Sequence, residues 1–146
     1  MIVAFVDTNI FIRFFVNDHS DQHSGACHLF EQVRARQVKL IAPHTVLDEV
    51  VFVLSSPKLY QRSRQEIASC LTPLLKMRGM QVYQREAIVS ALALYANTKL
   101  DFADCVTIAL AKGGLVKSIY TYDNDFDAIE GINRLEPEQS HILISG

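Results

Sequence analysis

Short apolar runs alternate with longer amphipathic stretches along almost the whole chain, and this alternation restricts its fold more than any other feature. Residues 2–6 form a continuous apolar run containing Val, Ile and Phe, the pattern of a strand buried on both faces, and it ends at the polar triplet Asp7, Thr8, Asn9. Apolar spacing then turns helical, and residues 20–36 repeat Ala26, Leu29, Phe30 and Val33 at intervals of three and four. Residues 39–42, closed by Pro43, suit a second short strand leading into a helix over 44–55 that is apolar nearly all round. An amphipathic segment spans 59–76, Gly79 breaks it, residues 80–83 predict a third strand, and 85–97 a helix. Asp101 heads a helix through Lys112 that stops at Gly113 and Gly114; strands are expected at 118–121 and 141–144. Parallel neighbours need crossover connections, so strands alternating with helices predict an α/β fold with a mainly parallel, roughly five-stranded sheet and helices on both faces.

The 146 residues suit a single domain, 1–146, long enough to bury a core without disulfide or metal staples. Hydrophobic residues at 49% and charged residues at 21% exclude the profile of a disordered chain. No basic segment precedes the first apolar stretch, and no run approaches the roughly 20 apolar residues that span a bilayer, so a soluble, cytoplasmic protein with no membrane partner is expected. Cys27, Cys70 and Cys105 are odd in number and far apart, which reads as reduced thiols rather than a disulfide framework. A net charge of -2 argues against holding nucleic acid by bulk attraction; with four carboxylates gathered in one metal site, however, the remainder carries a net +2.

Ligands of open α/β sheets gather beyond the carboxyl ends of the strands, where Asp7 and Asp123 both fall. Glu49 stands among Val46, Leu47, Val50, Val51 and Val53, where a charge is costly unless it finds a partner or a metal. Asp104 lies in the first turn of its helix, within reach of the same edge. Carboxylates from separated segments suit a hard divalent cation, which activates a water and offsets charge developing on a phosphodiester. Each acid also has an ordinary reading. Asp7, Thr8 and Asn9 are capping residues, Asp101 and Asp104 have the spacing of a capping box, and Asp123-Asn124-Asp125 is common turn chemistry.

The segments Val6-Asp7-Thr8-Asn9, Glu49 in its apolar helix, Asp104-Cys105-Val106-Thr107-Ile108-Ala109 and Thr121-Tyr122-Asp123-Asn124-Asp125-Phe126 occur in this order, and over nearly its whole length the chain resembles a PIN domain. In length and motif detail it is similar to the VapC-type toxins of that family. The resemblance implies a three-layer α/β/α fold and Mg²⁺- or Mn²⁺-dependent cleavage of RNA with one or two ions. It further implies a homodimer and inhibition by a small cognate antitoxin that also binds operator DNA. It makes Asp7, Glu49, Asp104 and Asp123 the metal-binding carboxylates, with Thr8, Asn9 and Thr121 in support and Asp125 as substitute or helper for Asp123. Asp48, Asp101 and Asp127 are neighbours in register, Asp48 being the obvious rival to Glu49.

Arg13, one helical turn past the polar triplet, is the first candidate for touching RNA; Lys58, Arg62, Arg64 and Lys99 fit a solvated helix face equally well. His19, His23 and Cys27 recur every four residues and could share a helix face as soft-metal ligands. Two other functions compete. A haloacid-dehalogenase-like phosphatase would use Asp7 as nucleophile, but Asn9 stands where those enzymes usually have a second Asp. A non-catalytic RNA- or protein-binding module would keep the fold and use its acids for structure.

Overall fold

The computed structural model describes residues 1–139. Strand β1 (Ile2–Phe5) leads through helices α1 (Thr8–Phe15) and α2 (Ser20–Arg34) to β2 (Val38–Ala42), and α3 (His44–Ser55) with α4 (Arg64–Leu75) leads to β3 (Met80–Val82). Helices α5 (Arg85–Asn97) and α6 (Phe102–Gly113) follow, then β4 (Ser118–Tyr120), a 3₁₀ turn at Asn124–Ala128 and β5 (Asn133–Leu135). Among the described residues every strand pairing is parallel, with helices making the crossovers of β1-β2-β3 and the 3₁₀ turn joining β4 to β5. None of the described helices is long and apolar enough to cross a membrane.

Local chemistry sets the helix limits. Asp7 caps α1 by accepting the Thr8 amide. The α4 segment starts later than its periodicity suggests because Ser63 and Glu66 close a reciprocal capping box there. Gly114 follows the last residue of α6.

The core lies between the helices and one face of the sheet. Val38, Leu40 and Ala42 of β2 and Met80 and Val82 of β3 are buried, and Phe11, Phe30 and Leu47 meet them in one continuous cluster. Each such large side chain contributes roughly 1.5–3 kcal/mol by leaving water.

The α/β class with its parallel sheet is as expected, but the sheet differs in extent. Instead of about five strands in one sheet, the described residues form a three-stranded sheet in the order β1-β2-β3 and a separate pair, β4-β5. In β4 only Ile119 turns inward, so little burial is available to draw that strand into the longer ladder. The strand Asn133–Leu135 escapes sequence reading because two of its three residues are polar. The strand expected at 141–144 falls outside the described residues.

The expectation that residues 2–6 are buried on both faces does not hold. Among the described residues β1 pairs with β2 alone, and Val3 and Phe5, in register with Lys39 and Ile41, are 56% and 74% exposed.

Candidate active site

Asp7 lies immediately past the end of β1, where the Val6 amide still extends the ladder by donating to the Ile41 carbonyl at 3.0 Å. Its Oδ1 accepts the Thr8 amide at 2.8 Å, so the capping reading is correct for one oxygen while the carboxylate itself stays exposed. The buried Thr8 turns its hydroxyl the other way and donates to Glu49 Oε2 at 3.0 Å. That single bond ties the start of α1 to α3 across 41 positions of sequence.

Glu49 is not enclosed by the apolar residues around it in sequence. On α3 the buried stripe is Leu47, Val50, Val51 and Leu54, whereas Asp48, Glu49 and Phe52 are exposed. Helical geometry separates neighbours in sequence by about 100°, so desolvation does not single out Glu49. The Thr8 bond does, and it separates Glu49 from Asp48. The Asp48 carboxyl is raised by partial burial and lowered by His44 one turn earlier, and it has no part in the Thr8 contact.

Asp104 occupies the first turn of α6 and is half-buried. Its carboxyl is held above the usual carboxylate range, first by burial and then by the negative charges of Asp101 and Asp123. The chain therefore brings α6 and the turn after β4 close enough for their acids to repel one another. Asp101 takes the helix N-cap position without a side-chain capping bond, so the capping box proposed by spacing is not formed. Sequence reading offered Asp101 as a cap and as a register neighbour of Asp104; in the fold its charge acts on the Asp104 carboxyl.

Asp123 heads the 3₁₀ turn and accepts the Asp125 amide at 2.9 Å, while its own amide donates to Thr121 Oγ1 at 3.1 Å. Thr121 and Asp125 thus shape the turn that carries Asp123, and it is Asp123 whose charge reaches Asp104. Arg134 adds a support that the sequence did not signal. It donates to the Thr121 carbonyl at 3.1 Å and to Asp127 at 2.8 Å, clamping the turn from β5. The exposed Asn9 stands beside Thr8 in the first turn of α1.

Among the described residues no three His, Cys, Asp or Glu side chains stand close enough to hold a metal ion together. The acids fall into two groups: Asp7 with the Thr8-linked Glu49, and Asp104 with Asp101 and Asp123.

Arg13 lies at the far end of α1 from Asp7, paired with Asp18 at 2.9 Å and donating to Gln22 at 2.7 Å. Arg64 serves structure: it donates to the Tyr95 and Leu100 carbonyls and stacks its guanidinium 3.8 Å from the Tyr95 ring centroid. Arg62 pairs with Glu66, and Lys58 and Lys99 are exposed.

A cavity of about 1080 Å³ between α5 and α6, lined by residues including Ser90, Leu94, Asn97, Ile108 and Lys112, contains none of the four candidate acids.

What is thereby defined is an α/β protein with parallel strands, in which Asp7 and the Thr8-linked Glu49 form one acidic group and Asp104 with Asp101 and Asp123 another. The chain belongs to the PIN-domain family, whose model matches residues 4–132 and so spans all four acids. This is a nuclease-type fold, and PIN-domain nucleases generally use divalent metals. No curated protein matches the chain.

One prediction follows from the Thr8 bond. Thr8→Val keeps the shape and removes the hydroxyl, so if Glu49 is a metal ligand of a nuclease site, activity should fall by about 10- to 100-fold, the usual cost of losing a group that orients a ligand. Because Glu49 can return to water, stability should change by less than about 1 kcal/mol. Cleavage rates beside urea unfolding midpoints check both.

Proposed function

We propose that this protein is a Mg²⁺- or Mn²⁺-dependent endoribonuclease in which Asp7, Glu49, Asp104 and Asp123 hold one or two ions. The crowding at Asp104 carries this reading. A carboxyl raised first by its burial and then by the charges of Asp101 and Asp123 is relieved by keeping a proton or by accepting a cation. The donor set is entirely carboxylate oxygen, which fits Mg²⁺ or Mn²⁺ and lacks the thiolates and imidazoles that favour zinc.

When bound, a divalent ion supplies a water of lowered pKa and positive charge against the phosphate. The chain's own groups prepare that edge. Thr8 orients Glu49 through Oε2, and the Thr8 amide fixes Asp7 through Oδ1. Thr121, the Asp125 amide and Arg134 hold the turn that presents Asp123. Asn9 offers a neutral polar group beside them, and Arg13 is the candidate cation for the RNA backbone.

The similarity to VapC-type toxins supports a finer role as the toxin of a toxin-antitoxin pair. In that role the protein is a homodimer that cuts RNA in the cytoplasm until a small DNA-binding antitoxin inhibits it.

The test is incubation of a mixed RNA pool with purified protein in Mn²⁺, in EDTA, and with Asp7→Asn at matched concentration. Cleavage in Mn²⁺ alone, lost in both controls, is expected, together with a higher melting temperature in Mn²⁺ because the ion binds only the native state. No cleavage in any condition and no thermal shift would overturn the proposal in favour of a non-catalytic binding module.

A further inference from the structure

We propose that Cys27 is a reactive thiol activated by His23, and that low-molecular-weight disulfides such as oxidised glutathione are the reagents it takes. The three cysteines occupy different surroundings: Cys105 is buried, Cys70 is exposed and Cys27 lies between. Among the described residues only Cys27 has an imidazole beside it.

The spacing of His19, His23 and Cys27 suggested a soft-metal triad, but each histidine is engaged elsewhere. His19 caps α2, its Nδ1 accepting the Gln22 amide at 3.2 Å. His23 Nδ1 lies 2.8 Å from the Arg13 carbonyl oxygen. A carbonyl only accepts, so Nδ1 carries the proton and the neutral ring keeps its lone pair on Nε2.

Cys27 Sγ sits 3.5 Å from that Nε2 and 4.0 Å from Nδ1, nearer to the nitrogen free to take a proton. The Arg13 carbonyl is itself anchored, because the Arg13 side chain donates to Gln22 on the same helix as His23 and Cys27. A nucleophile, a base one helical turn away and an orienting group from a second helix are the three parts of an activated thiol.

In the reaction the Cys27 thiol gives its proton to His23 Nε2 and the sulfur electron pair attacks one sulfur of the disulfide. The S–S bond breaks, and the departing thiolate takes the proton from His23. One mixed disulfide and one free thiol result, with no other oxidant required.

The test is brief exposure of the folded protein to oxidised glutathione, acid quenching and peptide mass analysis of each cysteine, repeated with iodoacetamide as a neutral probe. Cys27 is expected to react at least about fivefold faster than Cys70 although it is the less exposed thiol. His23→Gln, which can still donate to the Arg13 carbonyl, should bring the Cys27 rate down to that of Cys70 and leave Cys70 unchanged. Labelling of Cys105 would reveal an unfolded variant, in which case His23→Asn replaces it. A wild-type Cys27 no faster than Cys70, or one indifferent to loss of the imidazole in a folded variant, overturns the proposal.

Discussion

Asp104→Asn is expected to abolish RNA cleavage and, in the same protein, to raise stability in EDTA at neutral pH. The loss of activity should be about 100-fold or more, since even groups that merely orient a metal ligand are worth 10- to 100-fold. The gain in stability comes from the acids around it. Burial, then Asp101, then Asp123 raise the Asp104 carboxyl above its ordinary value, so the folded state binds a proton more tightly than the unfolded state does. For an acid raised in this way, folding is favoured most below the unfolded-state value, and stability falls as pH climbs from there through the raised folded-state value. Once pH exceeds the raised folded-state value the wild type bears the full penalty, and the Asn variant does not. Thermal melts of both proteins in EDTA from pH 4 to pH 8 measure it, and the advantage of the variant should widen as pH rises across the carboxylate range. Adding Mn²⁺ should reverse the order, because only the wild type then gains a ligand for the ion. A variant less stable than the wild type throughout would mean that Asp104 is a structural acid.

This opposition between function and stability also explains what was legible in the sequence. Periodicity located the helices and the first four strands because burial and hydrogen bonding act locally and leave an imprint of period two or 3.6. It did not show which faces of β1 are covered, since an apolar run looks the same whether or not another layer packs on it. Val3 and Phe5 are therefore exposed where burial was expected. The candidate acids were proposed by type and order, yet the physical reason offered for Glu49 was wrong: it is a solvent-facing residue picked out by a hydrogen bond from Thr8, 41 positions away. No local pattern encodes such a contact. Arg134 was overlooked for the same reason, because an Arg in a polar strand acquires meaning only when another segment arrives beside it.

Gly79 and Gly25 should respond in opposite directions to the same added methyl group. In the sequence Gly79 reads as a helix breaker, which accounts for the end of a segment and not for the need for glycine. In the fold, a Cβ at position 79 would lie 2.6 Å from the Val33 carbonyl oxygen, 2.8 Å from Val33 Cγ1 and 3.2 Å from the Val38 carbonyl oxygen. The first and last of these atoms are backbone, at the end of α2 and the start of β2, and the Gly79 carbonyl also accepts the Leu40 amide at 2.9 Å. Relief therefore requires moving β3 away from β2 or lifting the end of α2, and Val33 is fully buried. Gly79→Ala should cost about 3 kcal/mol, the upper part of the range for overpacking, because no flexible side chain can give way at the backbone contacts. Gly25 lies inside α2, and a Cβ there meets nothing within 4 Å. Gly25→Ala should stabilise by about 0.5–1 kcal/mol through the lower entropy of its unfolded chain and better helix propensity. Urea unfolding of the two variants beside the wild type reads both signs at once. Equal midpoints for Gly79→Ala and wild type would mean that the joint between α2 and the sheet yields easily. Asp7 belongs to the neighbouring β1–α1 connection, so a yielding joint would leave the Thr8–Glu49 contact dependent on α1 and α3 alone.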